Sequence, residues 1–393
     1  MSEEANVPNI PNLELCEYVF VISCAETSVE DKQSAAKSLL EAVEADEMAP
    51  YLYKLMADPV LKPYLGQNPQ SLYDTLAQKN KDELAKLQEK LDDATTNLGE
   101  TEVSDTLRTR ALYYARIGDK EKAVEAYEEA FNKQAGIGSK IDLRLGQVRI
   151  GFFCQDHSLV TTNLQKAEEL INQGGDWDRR NRLKAYQGLH SLSLRDFKKA
   201  SEVFLDILPT FTATELFSYH KFIEYSVITG SLCLPRREIK KRVIEAPEVL
   251  QSLPELPYLQ NFTKSLYDSQ YALFFRCLAE VEQHHLLKSC WLFPHARYYV
   301  REMRIKAYAQ LLESYRSLTL TNLADSFGVN ETFLDNDLSR FIARGRLNCS
   351  IDKVNGIVET NRPDSKNALY EQAIKQGDLL LNNIQKLSRV VGT

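Results

Sequence analysis

The residues best suited to chemistry lie in HHLLKSCWLFPH, which holds His284, His285, Cys290 and His295. Imidazole nitrogens and thiolates are zinc ligands, and a tetrahedral site usually draws on a tight pair separated by two to four residues. Adjacent histidines on a helix point about 100° apart, so at most one of His284 and His285 can join Cys290. Helix surface and loop packing is therefore the expectation here, and no metal site is expected. His157, His190 and His220 stand isolated, without a patterned carboxylate or cysteine partner. The stretch GIGSK at 136–140 lacks the length of a phosphate loop and a strand before it, and is expected to be a turn between helices. No G-x-S-x-G, H-E-x-x-H or His-x-His pattern occurs. No catalytic residue, no cofactor-binding residue and no enzyme activity is expected.

Two basic runs, DWDRRNRLK at 176–184 and PRREIKKRV at 235–243, place several cations on helix-sized segments. Each is either a solvated face with internal ion pairs or a dock for an acidic partner segment.

The stretch LADSFGVNETFLDNDLSRFIARGRLNCSIDKVNGIVET, 323–360, has the pattern of a helix-turn-helix with a β-wing. A DNA reader offers the N-terminal residues of its second helix to bases and phosphates. Here that helix opens with Glu331, Asp335 and Asp337. From Ser317 to Thr360 there are six acidic residues against four basic ones, too few cations to neutralise a run of phosphates. A protein–protein joint is expected and nucleic acid is not. The wing runs RLNCSI and GIVET form a small sheet whose edge another chain can extend. By alternation, Leu347, Cys349 and Ile351 face the core, while Asn348 and Ser350 become the candidate interface on the wing edge.

These features sit in a chain of 393 residues with 44% hydrophobic and 26% charged residues and a net charge of −7, which is globular composition. Its apolar runs are far shorter than the ~18 residues needed to span a bilayer, so no membrane partner is expected. The opening MSEEANVPNI carries carboxylates rather than lysines, and no leader is expected. Seven scattered cysteines without a Cys-x-x-Cys pair suit reduced, buried thiols in the cytosol or nucleus.

The elements that position all this are mainly helices. Leu84, Leu87, Leu91, Ala94 and Leu98 alternate spacings of three and four, giving one long amphipathic helix with a narrow seam. Three stretches then repeat: 115–131, 152–171 and 191–208. In each, an aspartate (Asp119, Asp156, Asp196) stands at the N-cap of a helix. Four residues on stand Ala123, Val160 and Ala200; eight on stand Tyr127, Leu164 and Phe204. Intervals of 37 and 40 residues fit one tetratricopeptide-like hairpin per repeat, stacked into an array. Prolines 247, 254 and 257 mark a seam. The chain closes on an amphipathic helix whose seam, Ala373, Gly377, Leu380, Ile384, Leu387 and Val391, has no evident partner of its own. The expected divisions are an N-terminal helical segment over 1–70, the long helix and repeats over 71–255, further helices and the winged helix over 256–362, and a bundle helix over 363–393.

Helical repeats running into a winged helix are the layout of the PCI domain. The stretches GGDWDRRNRLKAYQGL, RYYVREMRIKAYAQLLESYRSLTL, GRLNCSIDKVNGIVETNRPDSKN and GDLLLNNIQKLSRV resemble the non-ATPase regulatory subunit 6 family of the 26S proteasome lid, over roughly residues 80–393. That resemblance implies a non-catalytic structural subunit, cytoplasmic and nuclear, acting in ATP- and ubiquitin-dependent protein degradation. Its winged helix would join those of other PCI subunits. Its C-terminal helix, through Ala373, Leu380, Ile384, Leu387 and Val391, would enter a bundle shared with the lid deubiquitinase subunits. The repeats would reach toward the proteasome ATPase ring, with a small acidic lid tether protein nearby. A signalosome PCI subunit has the same layout and is the alternative; a nucleic-acid-binding winged-helix protein is a more distant one.

Overall fold

A computed structural model of the chain describes residues 8–25, 27–66, 68–97, 99–361 and 365–391, with the backbone alone at 253, 257, 365–368, 390 and 391. The chain falls into two compact units, one from Met1–Tyr267 and Arg276–Val300, the other from Asp268–Phe275 and Arg301–Thr393.

In the first unit, α1 (Glu14–Ser23), α2 (Val29–Ala45) and α3 (Ala49–Ala57) precede the long α4 (Pro69–Asn97). Three hairpins follow: α5 (Glu100–Ile117) with α6 (Lys120–Lys133), α7 (Ile137–Phe153) with α8 (His157–Gly174), and α9 (Trp177–Ser193) with α10 (Phe197–Ile207). Beyond them lie α11 (Tyr219–Cys233), α12 (Arg236–Ile239) continuing as a π-turn over Lys240–Ile244, α13 (Pro247–Ser252) and α14 (Pro257–Tyr267). Helices α15 (Tyr271–Val281) and α16 (Ala296–Leu312) contribute residues to both units.

The repeat pattern has a direct physical basis. Asp119 accepts the backbone N–H of Lys122, Asp156 those of Ser158 and Leu159, and Asp196 that of Lys199. Each carboxylate satisfies donors that the first turn leaves without a partner, and so starts the second helix of its hairpin. Ala123, Val160 and Ala200, one turn later, are buried, as are Tyr127, Leu164 and Phe204 after them. Glycines admit these side chains: a Cβ on Gly188 would meet the Phe204 ring at 2.4 Å, and one on Gly146 would meet Tyr127 at 2.7 Å.

Asp156 shows how a cap ties one repeat to the next. Lys120 Nζ bonds its carboxylate at 2.7 Å, and together with the Leu159 and Ser158 donors this holds the carboxyl well below the usual aspartate range. A depressed folded value means stability that is present above the unfolded value and lost as pH falls toward the folded one. Asparagine caps as well as aspartate, so Asp156→Asn should cost only the charged pairing with Lys120, no more than about 1 kcal/mol at neutral pH. The difference from wild type in urea unfolding should shrink below about pH 4. A difference constant with pH would remove the ionised cap from the account.

The long helix packs on α5 through Leu84 and Leu87 against Tyr113 and Ile117, with Leu91 on the adjoining core; Leu98 lies outside the described residues. The N-terminal segment is fastened to the second hairpin and to α11. Arg149 Nη1 donates to the Pro8 carbonyl at 2.7 Å, Tyr51 meets Phe153 with ring centroids 4.8 Å apart, and Lys221 pairs with Glu17 at 2.5 Å. Residues 136–140 make the turn and first helical residues between α6 and α7, with Lys140 over the Phe131 ring.

The basic run at 176–184 is largely consumed inside. Arg182, at 5% side-chain exposure, pairs with Glu215 at 2.8 Å and Asp142 at 3.1 Å; Arg179 holds Asp142 at 2.8 Å. Lys184 pairs with Asp206 at the surface.

The second unit is a winged helix. α17 (Leu320–Phe327) is capped by Thr319, and α18 (Glu331–Ala343) by Asn330. Gly328 turns between them at φ +64°, where a side chain would be strained. Phe327 fills the centre against Tyr271, Phe275 and Tyr308, with centroids 4.7–4.9 Å apart. The sheet has three strands in the order β1-β3-β2, antiparallel throughout: β1 (Ser317–Thr319), β2 (Cys349–Asp352) and β3 (Ile357–Thr360). The wing alternation anticipates β2 and β3. Three-residue β1 is too short to alternate visibly. The unit closes on α19 (Ser365–Val391).

Candidate partner interfaces

The histidines and cysteine of HHLLKSCWLFPH go to separate tasks. His284 stacks on Tyr258, His285 Nδ1 bonds Glu224 at 2.9 Å, and His295 Nε2 donates to the Ser193 carbonyl at 2.9 Å. Burial pushes the Cys290 thiol up, and that of Cys16 up to about 12, so both are inert at neutral pH. Among the described residues no group of three or more His, Cys, Asp or Glu could hold a metal.

The second helix of the winged unit departs from its expected charge display. Asp337 does not face outward: it is buried, bonded to Arg304 at 2.8 Å and within 3.5 Å of the Tyr308 hydroxyl. Burial pushes its carboxyl up, against the Arg304 cation. Helical phase explains this, since 337 lies on the side of Leu334, Leu338 and Phe341, all buried. Asp335 is taken by Lys353 of the wing turn at 3.0 Å, which leaves Glu331 as the exposed carboxylate of that opening turn. The same bonds spend cations. Arg304 is held by Asp337, Lys353 by Asp335 and Arg346 by Glu302, so these three cations around the helix are already engaged by carboxylates.

In the wing, Asn348 and Ser350 are exposed, Leu347 and Cys349 are buried, and Ile351 is half-buried. Ser350 lies in β2 opposite Glu359. Asn348 precedes the strand, and its carbonyl already accepts the Asn361 N–H at 2.9 Å, so only its side chain is available to a neighbour. With β3 central, both β1 and β2 are edges.

The C-terminal helix is uncovered along its described length. Every described side chain from 369 to 389 is exposed. Leu380, Ile384 and Leu387 are 62%, 57% and 66% exposed, and Ala373 lies beside them; the side chain of Val391 lies outside the described residues. Leu369, Tyr370, Ile374 and Leu381 are also exposed and extend the seam. At 100° per residue these positions cover about 140° of the circumference. Glu371, Lys375, Asp378, Lys386 and Arg389 take the opposite side, with Leu379 as the exception among them. A stripe this wide exceeds the narrow seam of a two-helix contact and suits insertion between several helices.

Family models match three parts of the chain: 26S proteasome subunit RPN7 over residues 69–242, PCI domain over 270–362, and 26S proteasome regulatory subunit RPN7/PSMD6 C-terminal helix over 370–391. The chain is 44% identical to the 26S proteasome non-ATPase regulatory subunit 6 homolog of Arabidopsis thaliana, across 97% of each chain. It is 40% identical to the 26S proteasome non-ATPase regulatory subunit 6 of Dictyostelium discoideum, across 99% of each. This chain belongs to the 26S proteasome non-ATPase regulatory subunit 6 (RPN7) family. Similarity to the 26S proteasome regulatory subunit RPN7 of Saccharomyces cerevisiae, 40% identical over 99% of this chain and 95% of that one, agrees. The RPN7/PSMD6 C-terminal helix model spans the apolar stripe of α19.

Two features of this RPN7-family chain escape a reading by motif. Edge strand β1 gives no periodic signal. The width of the α19 stripe was available from Tyr370, Ile374 and Leu381, each next to a seam position or one turn from it.

Proposed function

We propose that this chain is a non-catalytic subunit of the 26S proteasome regulatory particle lid, joining PCI-domain neighbours through its winged helix and its C-terminal helix. The observation that carries this reading is the α19 stripe: an apolar face about 140° wide, exposed at every described position in the chain alone. Uncovered apolar surface on that scale marks an interaction site. Ala373, Leu380, Ile384, Leu387 and Val391 form the bundle contact, alongside helices of the lid deubiquitinase subunits. The repeats face the ATPase ring and a small acidic tether protein, and the chain works in both cytoplasm and nucleus. Among the described residues no helix is long and apolar enough to cross a membrane.

The wing supplies the lateral joint, with Ser350 and the Asn348 side chain on the β2 edge. Substituting lysine at both positions blunts strand addition and leaves Leu347 and Cys349 in the core. Because both sites are exposed, we expect unfolding stability within about 0.5 kcal/mol of wild type. Incorporation into a reconstituted lid, read on a native gel, should fall sharply. Wild-type incorporation would exclude the β2 edge from the joint.

A further inference from the structure

The basic run at 235–243 stays at the surface as a solvated face, with Lys240 paired to Glu245 at 3.4 Å and Arg236 donating to the Tyr267 carbonyl. A buried cation in the same unit has a more specific environment. Arg149 of α7 is 2% exposed. Two other buried arginines of the repeats, Arg144 and Arg182, are paired with Glu128 and Glu215, whereas Arg149 has no carboxylate partner among the described residues. Its Nη1 donates to the Pro8 carbonyl at 2.7 Å, and its Nε has no bond. A buried guanidinium needs acceptors, and this one comes from a segment that is neither helix nor strand, residues 8–12.

The same segment fills a groove. Pro11 is buried in a recess lined by Ala115, Gly118, Ala123, Ile150, Phe153 and Cys154, where the small side chains leave the space that its ring takes. Ile10 packs on the adjoining core around Ala111 and Tyr127. Among the described residues, the Arg149 bond is the one hydrogen bond from the repeats to 8–12. The Ile10 N–H goes to the Pro8 carbonyl at 2.8 Å, and Asn12 Oδ1 accepts the Glu14 N–H at 3.0 Å. A segment held by one bond and two side chains opens locally before the hairpins do.

We propose that the groove across α5, α6 and α7 is a binding site for an extended, uncharged segment with an apolar residue before a proline, and that residues 8–12 are its built-in occupant, a strap that keeps it closed. Arg149 holds a backbone carbonyl, which any sequence offers. Selection falls on the places of Ile10 and Pro11, where a charged side chain would lose its hydration. A tethered occupant acts at an effective concentration on the order of millimolar, so a separate segment competes poorly until the strap lifts. The site belongs to the first unit and does not depend on the α19 or wing contacts.

The test uses the full chain and a fluorescein-labelled, C-terminally amidated peptide, NVPNIPN, the sequence of residues 6–12, followed by anisotropy. Ile10→Lys with Pro11→Gly lifts the strap, because an ammonium is not buried beside Arg149 without cost and glycine removes the ring. The lifted variant should bind the peptide about tenfold or more tightly than wild type, whose groove is free only in the fraction of molecules with the strap open. Adding Arg149→Ala to the lifted variant should weaken binding about tenfold, and the scrambled peptide PNNVINP should bind less well. Equal binding by wild type and the lifted variant, no binding by either, indifference to Arg149→Ala, or equal binding of the scrambled peptide overturns the proposal. Circular dichroism checks that the lifted variant folds. Should it not fold, Ile10→Ala, which trims a half-buried side chain, takes its place and must still bind more tightly than wild type. Wild-type behaviour there overturns the proposal as well.

Discussion

Replacing Ile384 and Leu387 with aspartate should leave the melting temperature of the isolated chain almost unchanged while abolishing its entry into a reconstituted lid. Both side chains are more than half exposed, so the chain alone has little packing there to lose. In a bundle, each buried leucine or isoleucine contributes about 1.5–3 kcal/mol before ordering costs. A buried unpaired carboxylate is penalised further. Two aspartates in the middle of the stripe therefore reverse the sign of the contact. A large drop in melting temperature would place α19 in the chain's own core, and normal incorporation would remove its role.

The second large effect concerns the interior of the repeats. Glu215→Ala should destabilise the first unit by about 3 kcal/mol, near the low end for breaking a buried pair because Asp142 still faces Arg182. Arg182 and Glu215 have side-chain exposures of 5% and 2%, and the Tyr186 hydroxyl also donates to Glu215 at 3.2 Å. Removing the carboxylate strands a guanidinium whose Nη2 has no bond even in the intact unit. Glu215→Gln, which keeps an acceptor, should lose less. Lys184→Ala, which breaks an ion pair exposed on both sides, should cost no more than about 1 kcal/mol. Thermal and urea unfolding of the three variants checks the order. Equal effects would mean that burial does not set the strength of these pairs.

The contrast between the two basic runs shows what a linear reading can and cannot reach. Charge counting makes 176–184 and 235–243 look alike. Their fates differ because Arg182 meets Glu215 from the turn before α11 and Asp142 from α7, 33 and 40 residues away, and no local pattern announces such partners. The hairpins were legible for the opposite reason. A cap aspartate, a buried position four residues on and a large apolar one after eight are local consequences of helix geometry, and Asp119, Asp156 and Asp196 all act as caps. Asp337 lay between these cases. Its type suggested a solvent-facing charge, but its phase with Leu334, Leu338 and Phe341 already pointed inward. The α19 seam was legible in position and underestimated in width. The proposed occupant is another chain, and every described side chain of the stripe is exposed in this one.

The most direct test of the account is affinity purification of the tagged full chain from cells, with the co-purifying proteins identified by mass spectrometry. The account predicts PCI-domain lid subunits, the lid deubiquitinase and the proteasome ATPases together, all lost with the Ile384→Asp, Leu387→Asp variant. Recovery of signalosome subunits without proteasome ATPases, or of the chain alone, would contradict it.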